Sequence, residues 1–364
     1  MPFDDREFPG APPEDRAARR SRRLVAAWLF AVAGMVLVMI VLGGVTRLTG
    51  SGLSIMEWAP LAGTLPPMNE AEWQRLYHLY QQVPQYRLVN EGLGLAGFKQ
   101  IFWLEWAHRL WGRLIGLVFI VPLIWFWATG RIERRLRPRL ALLFVLGGLQ
   151  GAVGWFMVES GFEPAATAVS PYRLVIHLVL ALLLYTALLW IGLTVLRPVP
   201  PLPPRAAAGS LLHSLAWACC ACVALTMAAG GFVAGTHAGF DYNTFPLMDG
   251  RLVPIDYGRL EPFVRNLTEN IAAVQFDHRL LATLTVLVTT ATLIAGFATR
   301  QPLGAHRALA ALMGAALVQY LLGVATLVFV VPIVLAAMHQ AVAALLFSAA
   351  VVLLHNTRPA PATR

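Results

Sequence analysis

Apolar residues run along the chain in eight blocks, at about 24–44, 104–128, 140–158, 174–196, 209–234, 275–298, 307–330 and 333–355. A helix needs roughly 20 apolar residues to cross a bilayer core, and the blocks are of that order. The pattern therefore predicts an all-α membrane protein with eight transmembrane helices. A ninth helix is predicted between the first two spans, over 69–82. Asn69 can cap it, Glu72 stands three residues on, and Trp73, Leu76, Tyr77 and Tyr80 share a face. An aromatic face of that kind suits the outer membrane surface.

The order of motifs shows an internal repeat. Gly43-Gly44, Gly52 and Pro60 correspond to Gly230-Gly231, Gly239 and Pro246. His108-Arg-Leu corresponds to His278-Arg-Leu, Gln150 with Gly154 to Gln319 with Gly323, and His177 to His339. Four helices per half means that both halves enter the membrane the same way, giving two parallel-repeat four-helix bundles about an axis along the membrane normal. The organisation expected is a polar tail (1–23), an N-terminal half (24–196) with a long outside loop (45–103), a Pro-rich linker (197–208), a C-terminal half (209–355) and a short tail (356–364).

Charge sets the orientation. With both termini in the cytoplasm, the cytoplasmic segments hold 17 of the 28 Lys and Arg residues and the outer segments eight; three more, Arg109, Arg113 and Arg279, lie within spans. Charged residues are only 13% of the 364, and apolar ones 58%, which excludes a disordered chain and argues against a soluble enzyme. The pI of about 10.1 reflects this topology and anionic membrane lipid. No basic stripe is interleaved with aromatics in a soluble segment, so nucleic acid is not a partner. Asp4, Asp5, Glu7, Glu14 and Asp15 make the first residues unlike a mitochondrial presequence, and the first block reads as a retained span. Cys219, Cys220 and Cys222 sit in one apolar block without further ligands and read as small helix residues.

Nine histidines divide five to four. His78 and His237 fall in outside loops; His213, His306 and His355 lie at cytoplasmic span ends, where they can snorkel to water. The other four, His108, His177, His278 and His339, each open an even-numbered span, so all four lie in the outer leaflet at similar depth. Four residues on from each stands Gly112, Ala181, Ala282 or Ala343, which leaves room on the same face for a flat macrocycle, although small residues also serve plain packing. Imidazole pairs on facing helices in an apolar setting fit six-coordinate heme iron better than zinc. The expected pairs are His108 with His177 and His278 with His339.

The repeat breaks at one place. Glu105 stands three residues before His108, but Gln275 stands three before His278. A carboxylate can move protons and an amide cannot, so chemistry is expected in the first half and a fixed cofactor in the second. Gln275 also indicates that this place in the fold accommodates an amide. A structural pair is the plain alternative, because Glu105, Arg109 and Arg113 follow at i, i+4 and i+8. Arg109 and Arg279 suit either heme propionates or lipid headgroups.

These residues resemble the heme A synthase family over nearly the whole chain. The motifs are Gly43-Gly-Val-Thr-Arg-Leu-Thr-Gly-Ser-Gly-Leu-Ser54, Glu105-Trp-Ala-His-Arg109 with Trp-Gly-Arg113, Gly235-Thr-His-Ala-Gly-Phe240 leading into Asn243-Thr-Phe-Pro-Leu-Met248, Phe276-Asp-His-Arg279 and Met338-His-Gln340. The resemblance implies oxidation of the C8 methyl group of heme O to a formyl group, giving heme A for cytochrome oxidase. It implies a resident heme b on His278 and His339, with His108 and His177 flanking the substrate heme and Glu105 needed for turnover. It further implies a bacterial inner-membrane enzyme with its heme sites toward the periplasmic leaflet. Its partners would be membrane lipid, an electron donor, heme O synthase and cytochrome oxidase assembly factors; a homo-oligomer is compatible with it. A cysteine pair found in the first outside loop of one branch is missing here. The residues by themselves leave open a quinol-linked di-heme electron carrier or a heme-handling transporter.

Overall fold

A computed structural model describes residues 16–60, 62–198, 206–298 and 303–358. The tail before Arg16, most of the 197–208 linker, Arg300 and the last six residues lie outside the described residues. In chain order the α-helices are α1 (Arg16–Leu48), α2 (Glu70–Gln81), α3 (Pro84–Leu88), α4 (Leu95–Ala128), α5 (Arg137–Glu159), α6 (Pro171–Leu196), α7 (Ala206–Gly235), α8 (Asn266–Glu269), α9 (Ile271–Ala298), α10 (Leu303–Val328) and α11 (Ile333–Asn356). Eight of them, α1, α4, α5, α6, α7, α9, α10 and α11, are long and apolar enough to cross a membrane. The protein is thus an all-helical membrane protein, and the described residues form no strands.

The helices overrun the apolar blocks. Arg16 to Arg23 is helical rather than a free tail, because Ala and Arg favour helix and no Gly or Pro intervenes before Leu24. α4 begins nine residues before its apolar block and carries Phe98 and Phe102 out of it. There they meet α2, whose cap forms as expected, with Asn69 Oδ1 accepting from the Glu72 N–H at 2.9 Å. The aromatic face of α2 is not laid on a membrane surface. Trp73, Leu76 and Tyr80 are buried against Phe98, Phe102 and Leu53. Tyr80 stacks on Phe98 at 5.4 Å, and Trp73 meets Phe102 edge-on at 4.9 Å. Protein outcompetes lipid for that face because α4 supplies a matching aromatic surface.

The spanning helices close two rings. In one, α1 touches α4 and α6, and α5 bridges α4 and α6; in the other, α7 touches α9 and α11, and α10 bridges α9 and α11. The rings meet through α1, α6, α7 and α11. The main core, drawn from both rings, buries Trp28, Leu29, Tyr185, Leu188, Phe347 and Val351, along with Cys219 and Cys220. Polar side chains pair across the seam, as low-dielectric surroundings favour. Tyr185 Oη lies 2.6 Å from Ser348 Oγ. His355 does not snorkel. It is fully buried, with Nε2 3.1 Å from Thr194 Oγ1, its Nδ1 2.8 Å from Arg358 Nη1 and its ring edge-on to Trp190. Neighbouring α6 covers it before it can reach water.

Candidate functional site

The four histidines are carried by α4, α6, α9 and α11, and each ring meets a glycine on the preceding spanning helix. An added Cβ on Gly43 would lie 3.2 Å from the His108 ring, on Gly154 2.9 Å from His177, on Gly230 3.0 Å from His278 and on Gly323 2.9 Å from His339. A side chain at any of these would press the imidazole away. Each glycine stands five residues before the last residue of its helix, Leu48, Glu159, Gly235 and Val328. At 1.5 Å per residue that is about 7–8 Å in from the end bearing the long connections. The four notches therefore share one depth at one end. The rings are half-buried rather than sealed, as side chains lining a slot are.

His278 and His339 face each other with ring centres 6.4 Å apart and planes at 87°. A metal held about 2 Å from a nitrogen of each ring needs ring centres roughly 6 Å apart, so this pair fits an iron between two imidazoles. The first-half pair differs. Between His108 and His177 no such ring contact is found among the described residues. No group of three or more His, Cys, Asp and Glu side chains converges among the described residues, so the donors on offer are histidine pairs rather than a zinc-type cluster.

Glu105 and Gln275 occupy corresponding places and do opposite things. Glu105, only 3% exposed, accepts through Oε2 from Ser54 Oγ at 2.7 Å and from the Ile55 N–H at 2.8 Å, and through Oε1 from Arg109 Nε at 3.0 Å. Gln275, 2% exposed, donates through Nε2 to the carbonyls of Ala238 and Asp241, both at 2.6 Å, while its Oε1 accepts from Arg279 Nη2 at 2.6 Å. The loop after α1 offers donors and the loop after α7 offers acceptors. The inference that an amide suits the Glu105 position is thereby overturned: an amide there would point N–H at N–H on one side or the other.

The arginines hold these loops. Arg109 donates from Nη1 to the Glu57 carbonyl at 2.9 Å and from Nη2 to the Ile55 carbonyl at 2.6 Å, and lies over the Trp155 ring at 5.6 Å. Arg279 donates to the carbonyls of Thr244 at 2.9 Å and Tyr242 at 2.7 Å. Arg113 donates to those of Pro60 at 2.8 Å and Ala59 at 2.9 Å. Neither reading made from spacing, propionates or lipid headgroups, anticipates this loop-clamping role. A carbonyl 35 to 54 residues away leaves no mark in a motif.

Sequence reasoning also missed two glutamines. Gln150 and Gln319 stand one turn before the glycine notches of α5 and α10. Gln150 Nε2 lies 3.2 Å from His177 Nδ1, and Gln319 Nε2 lies 3.0 Å from His339 Nδ1. The repeat had already paired Gln150 with Gln319, and that matched spacing to a histidine was the available signal. The Oε1 atoms of both amides are buried without a partner. Outside the spans, His237 is pushed below its ordinary pKa by burial and by nearby Arg47.

The chain matches the sequence profile of the COX15-CtaA family, described as cytochrome oxidase assembly protein, over residues 26–351. It is similar to the heme A synthase of Granulibacter bethesdensis, 61% identical over 346 residues that cover 95% of this chain and 90% of that protein. Heme A synthase of Rhodospirillum centenum is 48% identical over 96% of this chain and 92% of its own length. Heme A synthase 2 of Acidiphilium cryptum is 47% identical, with 96% of each chain covered.

Proposed function

The chain belongs to the COX15-CtaA family of cytochrome oxidase assembly proteins, and from that premise we propose that it is a heme A synthase, an oxidoreductase that converts the C8 methyl group of heme O to a formyl group. The observation that carries the assignment of sites is the unequal pair of clamps. Both halves offer two glycine-backed histidines at one depth, but only the first adds a carboxyl group one turn away. His108 and His177 accordingly flank the substrate heme, and His278 and His339 hold a resident heme b. The heme iron supplies the redox chemistry when bound.

What the protein supplies is position and protons. The notches set the imidazoles, and the loops pinned by Arg109 and Arg279 close the end of each slot. Glu105 accepts from three donors, and the Ser54 hydroxyl on its Oε2 is the one of them through which a proton can be passed to or from the carboxyl group. Arg109, through the Ile55 and Glu57 carbonyls, keeps that loop in register with Glu105. The matching motifs, notches and ring contacts of the halves support a parallel repeat, with domain limits at 24–196 and 209–355. The bias of Lys and Arg supports cytoplasmic termini in a bacterial inner membrane, with the heme sites toward the periplasmic leaflet. Membrane lipid, an electron donor, heme O synthase and oxidase assembly factors are the partners this reading calls for.

The test is conversion itself. Purified protein given heme O, dioxygen and a reductant should yield heme A, identified by its mass after extraction. Unchanged heme O over many turnovers' worth of time, with both sites filled, would refute the assignment. Reporter fusions near Gln82 and after Arg135 should read outside and inside respectively; the reverse would overturn the orientation.

A further inference from the structure

Three of the four histidines are anchored through a second ring nitrogen. His278 Nδ1 lies 3.1 Å from the Thr226 carbonyl oxygen and donates to it. His177 and His339 have the amides of Gln150 and Gln319 beside Nδ1. Each anchor stands one turn before the glycine notch on the same helix: Thr226 before Gly230, Gln150 before Gly154, Gln319 before Gly323. An imidazole that binds iron through Nε2 carries its proton on Nδ1 and needs an acceptor there, which fixes the tautomer and strengthens the ligand. Turning either amide over would set its Oε1 at Nδ1 as that acceptor, in Gln150 at the loss of the bond its Nε2 donates to the His177 carbonyl at 3.0 Å.

His108 is the exception. The residue one turn before its notch is Met39, and among the described residues neither its carbonyl, the kind of group that anchors His278 at Thr226, nor any other group makes a hydrogen bond to the His108 ring. The ring is also turned. His177, His278 and His339 present Cε1 to their glycines, whereas His108 presents Nε2 at 3.2 Å and Cδ2 at 3.8 Å. That difference is a half-turn about the Cβ–Cγ bond. It directs the ligating nitrogen at the α1 backbone. The ring contact made by His278 and His339 has no counterpart between His108 and His177 among the described residues.

We infer that His108 is the displaceable ligand of the substrate heme, and that Gln150 is a positioning residue that keeps His177 on the iron when His108 leaves. The inference rests on the two-site reading above. It places the vacated coordination position on the α4 side, where Glu105 stands one helical turn from the departing imidazole. The resident site, anchored on both sides by Thr226 and Gln319, keeps both ligands. A half-turn of one ring is a small motion, and no helix has to move for it.

The experiment compares His108→Ala with His177→Ala in protein purified without dioxygen and loaded with heme O. Resident heme b content, read from the same spectra, reports folding. His108→Ala should retain the first-site heme as a high-spin, five-coordinate species that binds carbon monoxide directly. His177→Ala should lose most of that heme. Adding Gln150→Leu to His108→Ala should weaken retention about 10- to 100-fold, the usual effect of removing a ligand's hydrogen-bond partner, and Gln150→Glu, which keeps an acceptor, should restore it. Equal loss in the two histidine variants, or retention by His177→Ala alone, would overturn the hierarchy. Retention untouched by Gln150→Leu would remove Gln150 from it. Failure of the wild type to hold any heme O beside a filled second site is a different result, and would sink the two-site reading instead.

Discussion

The two clamps at the long-loop end use the same fold position with reversed polarity. Glu105 gathers a hydroxyl, a backbone N–H and a guanidinium; Gln275 faces two backbone carbonyls and a guanidinium. Arginines one turn on, Arg109 and Arg279, pin the loops in both halves. The comparison teaches that a carboxylate–amide exchange within a repeat is not a single substitution. Each side chain and its loop form one hydrogen-bonding unit, so exchanging the side chain alone leaves the loop unmatched. The first half thereby keeps a carboxyl group beside its histidines, and the second an amide in the corresponding place.

The largest expected effect comes from breaking the first unit. Glu105→Gln should lower heme A formation by about 100- to 10,000-fold, the usual weight of a general acid–base group. It should also cost about 1–3 kcal/mol of stability, because one buried donor faces another. Turnover measured alongside thermal unfolding separates the two, and wild-type turnover would leave Glu105 a structural residue only. Gln275→Glu attacks the other unit by setting a carboxylate against the Ala238 and Asp241 carbonyls. A similar loss of stability is expected, read as weaker resident heme retention on heating, without the fall in turnover per filled protein that Glu105→Gln shows. An equal fall in both variants would erase the distinction between halves.

Gly323→Ala sharpens the comparison at the ligands. Its Cβ would approach the His339 ring to 2.9 Å, so resident heme content should drop several-fold while Gly154→Ala, with the same 2.9 Å approach to His177, should instead lower heme O binding. Optical spectra of each purified variant decide it; resident heme lost in both would mean that the notches serve packing alone. The smallest effect is expected at the seam between the rings. Tyr185→Phe removes one neutral hydrogen bond to Ser348 and should cost about 1 kcal/mol with heme content unchanged, measurable as a shift in the unfolding transition; a loss of heme there would make the seam part of the sites.

Hydropathy located all eight spans, because twenty apolar residues in a row have few other uses. It placed their ends short, because α1 and α4 continue through Arg16–Arg23 and through 95–103 on helix propensity and aromatic packing that a hydropathy window does not register. The shared depth of the four histidines and the corresponding places of Glu105 and Gln275 were legible, since matched spacing in the two halves is informative. The loop clamps were not, because Glu105 chooses Ser54 and Ile55 across a turn whose shape no local pattern encodes. His355 shows the opposite failure. Its place at a span end suggested water, and only the packing of α6 against α11 makes it a buried, bonded residue.

On the two-site reading, one slot holds a substrate heme and the other a resident one. The pigment extracted from purified wild-type protein tests it most directly. Heme b together with heme O or heme A, in comparable amounts, is the result predicted. Heme b alone at both sites would contradict it and point to a di-heme electron carrier.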